Sequence, residues 1–328
     1  MTARRPAGGS RARYDDPARW GRHIDDKVMD AWWGSQAGSD IAVPIGTVAA
    51  LALVRWQPQL TDDGGGLELG TEIEAMTPEN FGKWLQLAWG LYWFERPDLV
   101  ERARPLHEWL HADDRGAPRR LKAAHHVALA AIRAGILELV AVDHLRHGVD
   151  LFGALIEQMR GKADKRARGD FYTPRPIAHA LAAILVRDSI GELARNAQAG
   201  AMFTDPTAGS GGLLRAAADE LRDRGLDPAD CAWRANDVDP VAAGTCAVNA
   251  MLWDLGPNVL VGCFDTLTDP DGMEEARTEA LAWLAERDTQ LSQLRMLSAV
   301  RHAQFLVAEF GRANNTEPSA ASSPDATT

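Results

Sequence analysis

The chain has 328 residues, 46% of them hydrophobic and 25% charged, with Lys+Arg 35 against Asp+Glu 46 for a formal charge of -11. That balance excludes a wholly disordered chain, no apolar run approaches the roughly 18 to 20 residues of a membrane span, and the length leaves room for two domains at roughly 100 to 200 residues each. A sequence pI near 5.3 argues against a free-standing strong nucleic-acid binder, because duplex affinity comes largely from phosphate neutralisation, so any such role requires a local basic patch or a partner.

Residues 1–24 mix Arg4, Arg5, Arg11 and Arg13 with Gly, Ala and Pro. They show no helical or strand period and no apolar core of a signal peptide, and read as a flexible basic arm. Residues 25–160 read as a helical domain, with apolar residues at three and four spacing in FGKWLQLAWGLYWF and LKAAHHVALAAIRAGILELVAVDHL. Thr77 followed by Pro78 marks a helix start. Gly64, Gly65 and Gly66, Pro105 and the stretch 113–118 interrupt the pattern, which gives at least four helices.

Eight of the 11 Trp residues (Trp20, Trp32, Trp33, Trp56, Trp84, Trp89, Trp93 and Trp109) fall in this first part. A bundle core built from large rings is the plainer reading; base stacking or a partner surface is the other. His125 with His126, and Asp143 with His144 and His147, lack a further carboxylate or Cys at ligand spacing, so packed or surface His is expected rather than a metal site.

From Ala201 the period changes. AMFTD, CAWRAND and NVLVGC read as three short buried strands, with helical stretches LLRAAADELRDRG and DPVAAGTCAVNAMLWDLG between them. Strand and helix in alternation make a parallel βαβαβ unit, half of a doubly wound α/β sheet. Cys231, Cys246 and Cys263 all lie here, and an odd cysteine count confined to one segment points to a reducing cytoplasm rather than a disulfide scaffold. After Leu267 the pattern is helical over about 273–310, and residues 313–328 read as a disordered tail.

The most informative stretch is TDPTAGSGGLL, beginning at Thr204. An acid closes a buried strand, a glycine-rich turn comes next, and a helix opens with Leu213 and Leu214. Glycine suits a turn that a bulky adenosyl ligand must approach closely. Asp205 could then take the ligand's ammonium while the turn amides face its carboxylate. A P-loop would need Lys followed by Ser or Thr where Leu213 and Leu214 stand. A hydrolase elbow would need glycine two residues before Ser210, where Ala208 stands. Asp237 closes the second strand where a ribose diol can be accepted, and Asp239 before Pro240 reads as a helix cap. Asp265 closes the third strand as a candidate for the adenine amino group, with Phe264 as an apolar neighbour.

GDFYTPRPIAHAL, DPTAGSGGLL, ANDVDPVAAGTCAVNAMLWD and VLVGCFDTL occur in order between Gly169 and Leu267, inside a stretch of likeness over about 151–267. Together they resemble successive segments of adenine-N6 DNA methyltransferases, most closely the M (modification) subunits of type I restriction-modification systems. The resemblance implies a helical domain followed by a Rossmann-like methyltransferase domain over 161–312 that binds S-adenosylmethionine. It aligns Phe171, Tyr172, Thr173 and Pro174 with the segment over the methionine moiety, and Asp205, Pro206, Gly209, Ser210 and Gly211 with the main cofactor loop. It makes Asp237 the ribose acid and Asp265 the adenine contact. The basic run Lys162, Lys165, Arg166 and Arg168 reads as a linker or as a DNA-backbone patch.

The family's catalytic loop, Asn or Asp followed by two prolines and an aromatic residue after the fourth strand, accepts hydrogen bonds from the adenine amino group and stacks the flipped base. Thr268, Asp269, Pro270 and Asp271 lack the second proline and the aromatic residue, so no catalytic residue is assigned and only the first three strands of the sheet are expected. The exposed edge of the first strand then requires cover, from the helix over about 273–310 or from another chain. The acids after Gly262 make this end a poor phosphate binder. DNA contact is therefore expected through a partner, either a specificity subunit or a second chain that completes the sheet. Two function classes stay open: a cytoplasmic DNA adenine methyltransferase subunit that is incomplete alone, and a catalytically inactive S-adenosylmethionine-binding regulatory or interaction protein of the same descent.

Overall fold

A computed structural model describes residues 16–54, 69–112, 114–160, 173, 175–193 and 200–314. The first helix, α1 (Pro17–Ser35), begins inside the segment expected to be an arm. The cause is local: the Asp16 carboxylate accepts the N–H groups of Ala18 and Arg19 at 3.0 and 3.2 Å, and Pro17 occupies the first helical position. Trp20, Ile24, Val28, Ala31 and Trp32 then form one buried stripe at three and four spacing.

Every residue of α2 (Ala42–Leu53) is buried, which makes it the central helix. Around it lie α3 (Leu69–Ala75), α4 (Pro78–Glu95), α5 (Pro97–Arg102), two short 3-10 turns, α6 (Ala117–Arg133), α7 (Ile136–Val140), α8 (Asp143–His147) and α9 (Gly153–Met159). Thr77 caps α4 as its sequence predicts, its hydroxyl accepting the Asn80 N–H at 3.3 Å. Trp20, Trp32, Trp89 and Trp109 are core residues and Trp84 and Trp93 pack against them, whereas Trp33 is 45% exposed and Trp56 lies outside the described residues.

After α10 (Arg175–Leu193) come β1 (Met202–Asp205), α11 (Gly212–Asp223), β2 (Ala232–Asn236), α12 (Pro240–Leu252), β3 (Val259–Gly262) and α13 (Gly272–Asn314). The strands form a parallel sheet in the order β1-β2-β3, with Phe203 beside Trp233 and Trp233 beside Val259. Phe203, Trp233, Ala235, Val259 and Val261 fill a core with α11 and α12, and the Phe203 and Trp233 rings stack at 4.8 Å. On the opposite face Met202, Thr204 and Arg234 are exposed.

Packing runs across residue 160, where the two parts of the sequence divide. Val248 and Leu252 of α12 belong to the same buried cluster as α1, α2 and α6. Arg146, itself buried, donates through Nε to Leu252 O at 2.8 Å, and the Trp253 indole donates to Val149 O at 2.8 Å. Arg160 and Asp239 form a buried ion pair at 2.6 Å.

Two further expectations are corrected. α13 runs through Asn314, past the predicted start of the tail at Ala313. It also lies against β3 and α5, at the opposite edge of the sheet from β1, through the Arg102–Glu279 ion pair and a contact of Arg104 with the Trp283 ring. Buried Ala276 fixes this placement. Among the described residues, the outer edge of β1 carries no strand partner, and no helix is long and apolar enough to cross a membrane.

Candidate functional site

The carboxyl ends of the three strands converge on a glycine loop. β1 closes on Asp205, and Gly209 and Gly211 take φ values of +56° and +94° before α11 opens. These are left-handed conformations that L side chains seldom adopt. A Cβ on Gly211 would also press on the Trp253 ring and Cys246 Sγ, at 3.1 and 3.2 Å. The loop is tied to the end of β2, because Ala208 N–H donates to Asn236 O at 2.7 Å and Gly209 N–H donates to Asp237 Oδ2 at 2.8 Å.

Asn236 joins all three strand ends. Its side-chain amide donates to Phe264 O at 2.9 Å and Pro206 O at 3.3 Å, and its Oδ1 accepts Phe264 N–H at 3.1 Å. The sequence shows Asn236 only as the last residue of a strand; its partners lie about thirty positions away in both directions. Asp237 Oδ1 accepts Asp239 N–H at 2.9 Å, and Asp239 caps α12 by accepting Val241 and Ala242 N–H at 2.8 and 3.1 Å. Burial opposes the Asp239 charge, but the α12 amides and Arg160 outweigh it and hold this carboxyl below the usual carboxylate range.

Asp205 has the opposite balance. It is buried, accepts one N–H from Thr207 at 3.1 Å, and is pushed above the ordinary carboxylate range by burial, with the Asp237 charge adding to the shift. Two acids at adjacent strand ends, one poorly solvated, make a place where a cation relieves repulsion. Beneath the loop, burial raises the Cys246 thiol strongly, with Asp205, Asp237 and Asp150 adding, so Cys246 is an inert packing residue.

Thr173 is exposed, while Phe171, Tyr172, Pro174 and the basic run from Lys162 to Arg168 lie outside the described residues. Pro206 is exposed at the loop, and Asp265 sits in an exposed turn, its Oδ1 accepting Leu267 N–H at 2.9 Å. The Phe264 ring is wedged between Gly262 and Gly272, where a Cβ would come within 2.5 and 2.4 Å of it. The Ser210 side chain, 3% exposed, turns inward and donates to Asp150 Oδ2 at 2.7 Å. Sequence reasoning missed Asp150 and Asn249, which meet at the loop, with Asn249 Nδ2 donating to Asp150 Oδ1 at 3.0 Å and to Ser210 O at 2.8 Å.

His147 Nε2 lies 2.9 Å from Asp254 Oδ2, which also holds Arg146, and His125 Nε2 lies 2.8 Å from Ile73 O. Among the described residues no group of His, Cys, Asp and Glu could hold a metal ion. A cavity of about 280 Å³ lies along the outer side of β3, between α5 and α13. Its arginines are paired within it, Arg102 with Glu279 and Arg104 with Glu101, Asp98 pairs with Arg96 outside it, and it does not include the strand-end acids. Thr268 and Asp269 form a turn on Asp265 O that leads into α13, and among the described residues no fourth strand comes after β3.

No curated protein matches the chain. Residues 147–283 match the family described as N-6 DNA methylase, a span that takes in Asp150, the glycine loop and all three strand ends.

Proposed function

We propose that the chain is the S-adenosylmethionine-holding part of a DNA adenine-N6 methyltransferase of the type I modification-subunit kind, incomplete for methyl transfer alone. One observation carries the reading: Asp205, buried and pushed toward neutrality beside Asp237, borders a glycine loop with open approach. A Cβ on Gly212 would meet nothing within 4 Å, which leaves room next to the loop backbone. S-adenosylmethionine, when bound, supplies a methyl group on a cationic sulfur. In this reading Asp205 receives its ammonium and Asp237 accepts the ribose hydroxyls. Asp265, exposed at the end of β3, is free to turn toward an adenine amino group.

The incompleteness rests on the segment after β3, a turn and then a helix whose first turn carries Glu274 and Glu275. No residue there offers the polar acceptor and stacking ring that a flipped adenine requires, and the acids repel phosphate. A second chain that supplies the catalytic loop and the DNA contacts, seated on the outer edge of β1, completes the enzyme in this reading. The acidic segment that leads into α13, Asp265, Asp269, Asp271, Glu274 and Glu275, equally suits a non-catalytic protein that binds the cofactor and acts through protein contacts.

Calorimetric titration tests the cofactor. Saturable S-adenosylmethionine binding is expected, weakened at least about tenfold, or about 1.4 kcal/mol, by Asp205→Ala and by Asp237→Ala. Absence of binding by the folded wild-type chain overturns the assignment. Radiolabelled methyl incorporation into adenine is expected to be nil for the purified chain, and robust incorporation overturns the claim of incompleteness.

A further inference from the structure

We propose that Asp150, in the helical part of the chain, is a positioning residue that sets the conformation of the cofactor loop through Ser210 and Asn249. The inference rests on reading this loop as the cofactor site. Asp150 Oδ1 accepts the N–H groups of Phe152 and Gly153 at 3.1 and 2.9 Å, which anchors the carboxylate to the start of α9. Its other oxygen takes the Ser210 hydroxyl proton at 2.7 Å. Asn249, fully buried in α12, spans the remaining gap by donating to both Asp150 Oδ1 and Ser210 O. Ser210 is thus gripped at its side chain and its carbonyl by residues 60 and 39 positions away.

The approach is close enough to demand glycine at the anchor. A Cβ on Gly153 would stand 2.4 Å from Asp150 Oδ2 and 2.8 Å from Ser210 Oγ. At the next loop residue, Trp253 packs against Gly211 and donates to the carbonyl of Val149, the residue before Asp150, at 2.8 Å. One short segment of the helical part thus holds two adjacent loop residues, Ser210 through Asp150 directly and Gly211 through the Trp253 indole that Val149 anchors. Because the Ser210 hydroxyl proton is committed to Asp150, this side chain shapes the loop and does not itself donate to a ligand. A change in how the helical part is held, such as a partner seated on it, would reach the cofactor site along this path.

The test uses the full chain in two readouts. In hydrogen exchange without ligand, the amides of Ala208, Gly209 and Gly211 are expected to exchange about tenfold faster in Asp150→Ala and in Ser210→Ala, while those of β2 and α12 keep wild-type rates. In titration with S-adenosylmethionine, each variant is expected to bind about tenfold more weakly and the double variant no more weakly than either, because the two residues act through one bond. Asp150→Asn, which keeps the Oδ1 acceptor and can hold Ser210 by a bond of reversed direction, is expected to recover most of the loss. Wild-type loop exchange in the folded variants, or affinity losses that add in the double variant, would overturn the proposal. Should Asp150→Ala fail to fold, Ser210→Ala decides alone. If the wild-type chain binds no S-adenosylmethionine, the cofactor reading falls, and ligand-free loop exchange still decides the role of Asp150.

Discussion

Asp205 is placed where a carboxylate is poorly solvated and a second acid stands nearby, so its proton is held more tightly than in an unfolded chain. A bound ammonium reverses that preference by favouring the ionised form. Below the raised pKa, binding must expel a proton, so S-adenosylmethionine affinity is expected to fall as pH falls through that region, by up to about tenfold per pH unit. Above it, affinity should level off. Titrations between about pH 4 and about pH 8 check this, with Asp205→Asn expected to bind weakly and without the slope. The strand-end acids and the glycines were legible because their chemistry is local: an acid after a short apolar run, then glycines where a turn must be tight. Asn236, Asp150 and Asn249 were not, because Asn at a strand end or inside a helix and Asp before a helix look like ordinary structural residues, and their loop partners are between 30 and 60 residues distant. The inward turn of Ser210 was hidden for the same reason.

Among the elements, α2 is the one whose sequence most constrains its surroundings. AVPIGTVAALAL is apolar on all sides, the mark of a helix buried all round. Gly46 lets it touch the turn at Arg104–Leu106: an added Cβ would lie 1.7 Å from Leu106 O, a backbone atom with no rotamer to yield. Gly46→Ala is expected to lower unfolding free energy by about 2 kcal/mol or more, because the two elements must separate. Gly90, inside α4, has nothing within 4 Å of the same position, so Gly90→Ala is expected to raise stability by about 0.5 to 1 kcal/mol through helix propensity. Denaturant midpoints for the two variants should move in opposite directions; a shared direction would mean that the close approach at Gly46 does not limit packing. α4 is readable from periodicity and α2 is apolar all round, but which glycine is a contact and which is free space depends on the facing element. The start of α1 at Pro17 shows the complementary failure, since a local Asp-Pro cap was outweighed by the Gly- and Arg-rich composition before it.

At the scale of the molecule, the change of hydrophobic period near residue 200 reads as two domains, yet α12 serves both parts at once. Ala243, Cys246, Ala247 and Ala250 pack into the sheet core, while Val248 and Leu252 complete the helical core. Gly244 brings the same helix against Ala103 and Leu106. The run PVAAGTCAVNAML announces this, since a helix with so few polar residues must be covered on every side; period analysis counts the element and does not say how many cores it fills. Separating the parts would expose those side chains and strip Arg146 and Arg160 of buried partners across the boundary, Leu252 O and Asp239. Exposing that apolar surface and breaking these contacts would cost a large fraction of the stability of an ordinary domain. The chain is therefore expected to unfold in one transition, with calorimetric and van't Hoff enthalpies that agree. Asp239→Asn should shift that single transition downward without splitting it. Two resolved transitions in the wild-type chain, only one of them moved by Asp239→Asn, would show that the helical part and the sheet fold independently, and α12 would then have to belong to one core alone.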